Sequence, residues 1–422
     1  MPNSISRETF IKGAAVGAAV ASAGFPAIIP SRGEAAEVLK IGNSEEITGV
    51  YSALAQSQTR GMEMVVEAWN KKGGVLGRKV ELVTEDNQNN PGVAVEKARK
   101  LINEDKVVGL VGTVNSAVTL STANAANSLN IPFVDAGGHT DDAVGKQCHW
   151  NSFMTCHQTW MVTHATGFTF AKELGKRWYM VTPDYAFGHS LAAGYEDVAK
   201  KTGSTVVKNV LTPLGTSDFS AYIPQIVAAK PDVVIVNLAG ADFINFMKQG
   251  SQFGLFKHIN VGGWAAELEA IWALPPDVRI GYWGSEWYYK DSVVLGKGKT
   301  LGSEFSAEYR KRYGTPATAR SCFGYVALDR MLWAIGEAKS TDVLKVCHAL
   351  QGAEFHSLWE GEAYYRDSNH ALMWPMWVGK LRPNGTPEDK YDVIDIVDME
   401  PAARIAPDAA SVKQICKLDW PS

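Results

Sequence analysis

What most constrains this chain is an alternation that recurs along it. Short β-branched runs are each followed by a stretch with apolar residues at helical spacing. The candidate strands are 38–41, 80–84, 107–112, 132–135, 178–182, 205–211, 233–236 and 260–263. Between them, residues 58–71 carry Met62, Met64, Val65, Val66, Ala68 and Trp69 near a 3.6-residue period. Residues 92–103 and 116–129 repeat the pattern with Val93, Val95, Ala98 and Leu101, and with Val118, Leu120, Ala123 and Ala126. Alternation of this kind predicts an α/β fold, with parallel sheets covered by helices on both faces. One βα series fills about 38–150 and a second fills about 178–275, which predicts two doubly wound lobes with a cleft between them. In such sheets ligands bind outside the carboxyl ends of the strands, so the loops there are the places to look.

Composition narrows the function. Of 422 residues, 46% are hydrophobic and 20% charged, enough apolar surface to offset chain entropy and exclude a disordered chain. Forty-one basic residues against 45 acidic ones give a net charge of −4, without the basic excess a nucleic-acid binder carries. A mean hydropathy of −0.11 excludes a polytopic membrane protein. One persistently apolar stretch, Gly13 to Pro30, follows Arg7 and Lys12 and precedes the small residues Gly33, Ala35 and Ala36. That order reads as a cleaved secretory leader over 1–36. Ser6 to Lys12 resembles a twin-arginine export signal with Glu8 where the second arginine belongs, so both export routes stay open. Five cysteines (Cys148, Cys156, Cys322, Cys347 and Cys416) leave at least one without an intrachain partner. An exported chain could form one or two disulfides, and the sequence does not choose among them. Cys148-His149 and Cys156-His157 match no zinc spacing, so no metal and no cofactor is expected.

Three enzyme signals fail. Val108 to Thr113 lacks the glycine spacing of a dinucleotide fingerprint. Gly298-Lys299-Thr300 ends like a phosphate loop, but Val293 stands where its first glycine belongs and no strand enters it. Gly188-His189-Ser190-Leu191-Ala192 approaches a nucleophile elbow, yet Pro183 and Asp184 end the preceding strand too early and Ala192 replaces the second glycine. Ser190 is read as part of a helix start. An exported serine hydrolase built around it remains the alternative, and no catalytic residue is assigned. Residues 381–388 read as a turn centred on Asn384-Gly385.

Several stretches together resemble a known family. They include LKIGNSEEITG (39–49), RGMEMVV (60–66), NKKGGVLGRKVELVTED (70–86), NPGVAVEKARKL (90–101), GLVGTVNS (109–116), IPFVDAG (131–137), DYAFG (184–188), GTSDFSAYI (215–223) and PDVVIVNLAGAD (231–242). In this order behind a leader, they resemble the periplasmic substrate-binding proteins of branched-chain amino acid type ABC transporters. The resemblance implies a type I periplasmic binding fold, with lobe one at 37–156 plus 283–360 and lobe two at 157–282 plus 361–422. It implies three hinge crossings, closure on a small ligand, and delivery to an inner-membrane permease with its ATPase subunits. A periplasmic monomer without catalysis is expected, or a sensor of the same fold.

The candidate ligand residues are Tyr51, Ser116, Gly137, His139, Tyr185, Ala239, Trp264 and Glu267. Ser116 follows a strand and opens a helix, where free N–H groups suit a carboxylate; it also reads as the helix N-cap. The resemblance implies that this serine and the loop Gly137–His139 hold a ligand carboxylate or amine. Gly137-Gly138 lets a ligand approach the backbone. Tyr51, Tyr185 and Trp264 are aromatic walls, Ala239 ends a strand, and Phe187 either lines the site or packs under its loop. In amino-acid-binding members an acidic residue neutralises the ligand ammonium. Trp264 falls at that place, with Glu267 three residues on, so the cargo reads as an amino acid, an aromatic or other small carboxylate, or an amide.

Overall fold

The structure is a computed structural model describing residues 37–421. The expected leader lies outside the described residues. The chain begins with β1 (Leu39–Glu45), α1 (Ser52–Lys71), β2 (Val80–Asp86), α2 (Pro91–Asn103), β3 (Leu110–Gly112), α3 (Ser116–Ser128), β4 (Phe133–Asp135) and β5 (Ser152–Met154). These five strands form one parallel sheet in the order β2-β1-β3-β4-β5. All residues of β3, β4 and β5 are buried, as expected of a parallel sheet covered by helices on both faces.

A second series follows: α4 (Thr159–Glu173), β6 (Arg177–Pro183), α5 (Ala186–Thr202), β7 (Thr205–Thr212), α6 (Ile223–Ala229), β8 (Val233–Val236), α7 (Gly240–Gln252), β9 (Asn260–Gly263), α8 (Leu268–Trp272) and β10 (Tyr282–Ser285). Each of the eight sequence-predicted strands is present, and the differences are at their ends. The chain then returns to the first sheet through α9 (Ser292–Leu295), α10 (Leu301–Tyr313), α11 (Ala319–Ala338) and α12 (Val343–Leu350). A small antiparallel sheet follows, made of β11 (Glu354–His356), β12 (Glu362–Tyr365) and β13 (Leu372–Met373). The second sheet is completed by β14 (Met376–Leu381) and β15 (Ile394–Glu400), in the order β15-β14-β10-β9-β8-β6-β7. Two short helices, α13 (Ala402–Ile405) and α14 (Ala409–Ile415), end the fold.

Strand pairing places several residues differently from the expected lobe boundaries. Residues 283–285 were expected in lobe one, but β10 pairs with β9 and β14 in the second sheet. Residues 361–373 were expected in lobe two, but β12 pairs with β11, and Ala371 bridges Met154 of β5. The turn expected at Asn384-Gly385 closes two residues later, where the Thr386 and Asp389 backbones exchange hydrogen bonds of 3.0 and 3.1 Å.

Helix α11 lies along α1, and two glycines bring their backbones together. A Cβ on Gly61 would stand 2.0 Å from the Ser321 carbonyl oxygen, and one on Gly324 2.0 Å from that of Gln58. Only glycine permits this approach. It sets Gln58 of α1 beside the start of α11, where Arg320 lies.

Among the cysteines, Cys148 and Cys416 form a disulfide, while Cys156, Cys322 and Cys347 are free and buried. Among the described residues no three of His, Cys, Asp and Glu are grouped to hold a metal ion. No helix among them is long and apolar enough to cross a membrane. The disulfide has a structural consequence. The C-terminal segment leaves the edge strand of the second sheet, yet Cys416 is bonded to the loop before β5 of the first. Trp420 stacks on His348 of α12 at 4.3 Å and rests against Trp150. The segment is therefore a covalent strap between the two sheets. Because the bond closes a separation of 268 residues, its loss releases much unfolded-chain entropy, about 2–4 kcal/mol of stability. Reduction, or Cys416→Ser, is expected to lower the melting temperature by several degrees; an unchanged melt contradicts a stabilising strap.

Candidate functional site

Residues beyond the C-terminal ends of strands from both sheets meet at one place. Tyr51, at the N-terminus of α1, is 2% exposed, and its hydroxyl lies 2.7 Å from that of Tyr185, between β6 and α5. Beside them the Val50 carbonyl accepts a hydrogen bond from Ala241 of α7 at 3.3 Å. Ala239 caps α7 from the second sheet and is buried. At α3 the sequence reading needs a correction. Asn115, not Ser116, is the N-cap, its side chain accepting from the Ala117 and Val118 amides at 2.7 and 3.3 Å. Ser116 is the first helical residue, and its buried Oγ has no partner. Asn outcompetes Ser here because its side chain reaches two amides at once.

The loop after β4 carries Gly137, Gly138 and His139. His139 is buried, with Nδ1 2.7 Å from the Gly137 carbonyl oxygen and Nε2 2.9 Å from Glu286. Its ring meets the edges of Trp264 at 5.1 Å and Phe187 at 6.2 Å, and those two meet at 4.8 Å. Phe187 therefore packs against rings from both sheets and not only under its own loop. The Trp264 indole N–H donates to the Leu238 carbonyl at 2.9 Å, which fixes the ring. Three rings from two sheets thus form one aromatic wall.

Glu267 completes the site. One carboxylate oxygen accepts from the Gly240 amide at 3.3 Å. The other accepts from Arg320 Nε at 2.9 Å and Nη2 at 2.5 Å, while Nη1 donates to the Gly137 carbonyl at 2.9 Å. This is a buried ion pair between α11 and the loop after β9. Burial disfavours the Arg320 cation, but Glu267 and Glu286 hold it firmly protonated. Gly137 has a specific role in this arrangement. A Cβ there would stand 2.4 Å from Arg320 Nη1 and 2.6 Å from Gln58 Oε1. The glycine makes room for these two side chains rather than for general backbone approach.

Several site residues carried no readable signal in the sequence. Arg320 and Gln58 sit far apart in the chain within unremarkable helices. Glu286 receives His139 and His157, with His157 Nδ1 at 3.0 Å. Burial would raise its carboxyl, but the two rings reverse this and hold it well below the ordinary range. Glu45 ends β1 and Glu46 follows it, and this doubled acid at a strand end was a signal available in the sequence. Glu46 accepts from the Val114 and Asn115 amides at 2.8 and 3.0 Å. Burial pushes it up to about 7 against those bonds. Glu45 is raised further by burial and by its charged neighbour Glu46. Asp135 is raised to about 6 by burial.

Ser190 lies within α5 as expected, and its environment is not that of a nucleophile. Its Oγ bonds Asp141 Oδ2 at 2.9 Å and Thr159 Oγ1 at 2.5 Å and accepts from the Asp141 amide at 3.1 Å. No histidine is among these partners.

The comparisons agree with this architecture. The family model described as periplasmic binding protein matches residues 38–386, and the chain belongs to that family. A Leu/Ile/Val-binding protein homologue from Brucella suis is 26% identical over 345 residues, covering 78% of this chain and 85% of that protein. A periplasmic binding protein from Burkholderia mallei superposes with a TM-score of 0.82 at 24% identity, over 89% of this chain and 98% of that one. An ABC-transporter solute-binding protein from R. palustris, solved with benzoate, gives a TM-score of 0.76 at 22% identity, over 86% and 97%. The fold is that of a type I periplasmic binding protein.

The Glu286 arrangement gives a pH-dependent prediction. A carboxyl whose pKa is lowered by folding adds stability that is complete above its unfolded value and lost as pH falls. Glu286→Gln is expected to lower the melting temperature at pH 7, by about 3–5 kcal/mol in stability. The gap from the unsubstituted protein should narrow below pH 4.5, the ordinary value of the group. A gap that is constant from pH 7 to pH 3 contradicts the role.

Proposed function

We propose that this chain is the solute-binding component of an ABC importer, closing its two lobes on a small organic ligand and presenting it to an inner-membrane permease served by ATPase subunits. The observation that carries this reading is the convergence of Tyr51, Ser116, Gly137 and His139 from one sheet with Tyr185, Ala239, Trp264 and Glu267 from the other around one buried, aromatic-walled site. Sites of this kind, apolar with a few placed polar groups, take small molecules. Strand ends meeting across a hinge are the geometry of trap-like closure. Lobe one takes the first sheet with α9–α12 and β11–β13, and lobe two takes the second sheet. Export to the periplasm with cleavage of the leader, and a monomeric state, belong to the same reading. A disulfide strap suits an oxidising compartment.

The aromatic cluster of His139, Phe187 and Trp264, whose rings meet edge to face, supports an apolar or aromatic ligand, and the benzoate carried by the R. palustris protein is in keeping with that. Trp264 and Glu267 both line the site, but Glu267 is already paired to Arg320. An α-ammonium would have to compete with a guanidinium for it, which disfavours simple amino acids. Ser190 Oγ has no histidine among its partners, which weighs against the hydrolase reading.

The test is a thermal-shift panel of amino acids, aromatic acids, short carboxylates and amides, since a ligand that binds only the folded state raises its melting temperature. At least one planar ligand is expected to give a clear shift; silence across the panel, with hydrolysis of an ester lost in Ser190→Ala, overturns the reading. Trp264→Ala is expected to weaken a flat ligand about tenfold more than an aliphatic one by calorimetry; equal losses count against the wall. Ser116→Ala is expected to weaken binding several-fold with an unchanged melt, and unchanged affinity removes Ser116 from the site.

A further inference from the structure

The niche beside Gly137 holds an unusual set of unpaired groups. Gln58 is fully buried, and its amide orientation is set by its partners. Nε2 donates to Glu45 Oε1 at 2.7 Å and to the Thr113 carbonyl at 3.0 Å. Turning the amide over would aim oxygen at oxygen, so Oε1 must face the other way. There it has no donor. Arg320 comes to the same point, because its Nη1 and Gln58 Oε1 flank the position a Gly137 Cβ would take at 2.4 and 2.6 Å. A guanidinium has five N–H groups. Three of those on Arg320 go to Glu267 and Gly137, and the remaining two have no acceptor among the described residues. A buried donor or acceptor left unpaired is costly. Here one of each kind waits at one spot, where the two lobes meet.

Resting on the solute-binding reading above, we infer that Gln58 and Arg320 select a ligand headgroup that pairs an acceptor with an adjacent N–H donor and carries no net charge, namely a primary carboxamide. The carbonyl oxygen takes the free Arg320 N–H groups, and the amide N–H goes to Gln58 Oε1. A carboxylate fits worse for two reasons. It sets oxygen against Gln58 Oε1, and it brings a second negative charge to an Arg320 whose charge is already matched by Glu267. An ammonium satisfies Gln58 but faces the guanidinium. A buried site that hydrogen-bonds a specific group rejects analogues lacking it, because its own polar groups are then left unpaired.

The test is calorimetry of the full chain with matched pairs: benzamide against benzoate, isovaleramide against isovalerate, and leucinamide against leucine. At least one uncharged amide is expected to bind tenfold or more tighter than its acid. In Gln58→Leu, checked for folding by its melt, that preference is expected to fall to within about threefold. Tighter binding of benzoate, isovalerate or leucine overturns the inference and leaves the solute-binding reading intact. No binding by any pair also overturns it, and the broader thermal-shift panel then decides separately whether the cleft binds solutes at all. Should Gln58→Leu fail to fold, the amide-to-acid ratio in the unsubstituted chain is decisive alone.

Discussion

The Arg320–Glu267 ion pair is the buried charge contact that joins the two sheets at the candidate site. Arg320 is carried by α11 on the first sheet, and Glu267 by the loop after β9 on the second. Each is nearly excluded from water, at 3% and 9% exposure. Two such charges are tolerable together because each cancels the other and both are further hydrogen-bonded, to Gly137 and Gly240. Removing one partner leaves a buried charge uncompensated, at a cost of about 3–5 kcal/mol. The pair therefore ties α11 on the first sheet to the loop after β9 on the second.

Around this pair the fold supplies position rather than chemistry. Glycines 61 and 324 let α1 and α11 pack closely, and that brings Gln58 and Arg320 side by side. Gly137 makes room for both, so that Arg320 reaches the Gly137 carbonyl after β4 and Gln58 the Thr113 carbonyl after β3. On the other face, His139, Phe187 and Trp264 lock one another edge to face, and Trp264 is held by a carbonyl. Tyr51 and Tyr185 also join the two halves, and away from the candidate ligand residues Asp141 binds Ser190 and Thr159 and the strap joins Cys148 to Cys416.

The fold class was legible because parallel strands covered on both faces must be apolar runs, and the run Val-Val-Ile-Val at 233–236 stands out against its helices. Tyr51, His139, Tyr185, Trp264 and Glu267 could be named as candidates because strand ends are where such folds place ligands. The finer features are set by tertiary contacts. Whether Ser116 or Asn115 caps α3 turns on one residue of register. Residues 361–373 stay with the first sheet because of a bridge to β5, not because of any local pattern. Arg320 and Gln58 escaped notice because nothing in a helix sequence announces which of its polar side chains will be buried among tertiary partners. The disulfide pairing joins cysteines 268 residues apart, a distance over which spacing carries no information.

The most direct test of the Arg320–Glu267 coupling is the distance between spin labels on exposed Glu96 of α2 and Lys200 of α5, one in each lobe, in the unsubstituted protein and in Glu267→Gln. A narrow short-distance distribution that shifts to longer distances when Glu267 is neutralised is the predicted result. The same distribution in both proteins would contradict the account, because the ion pair would then play no part in holding the lobes together.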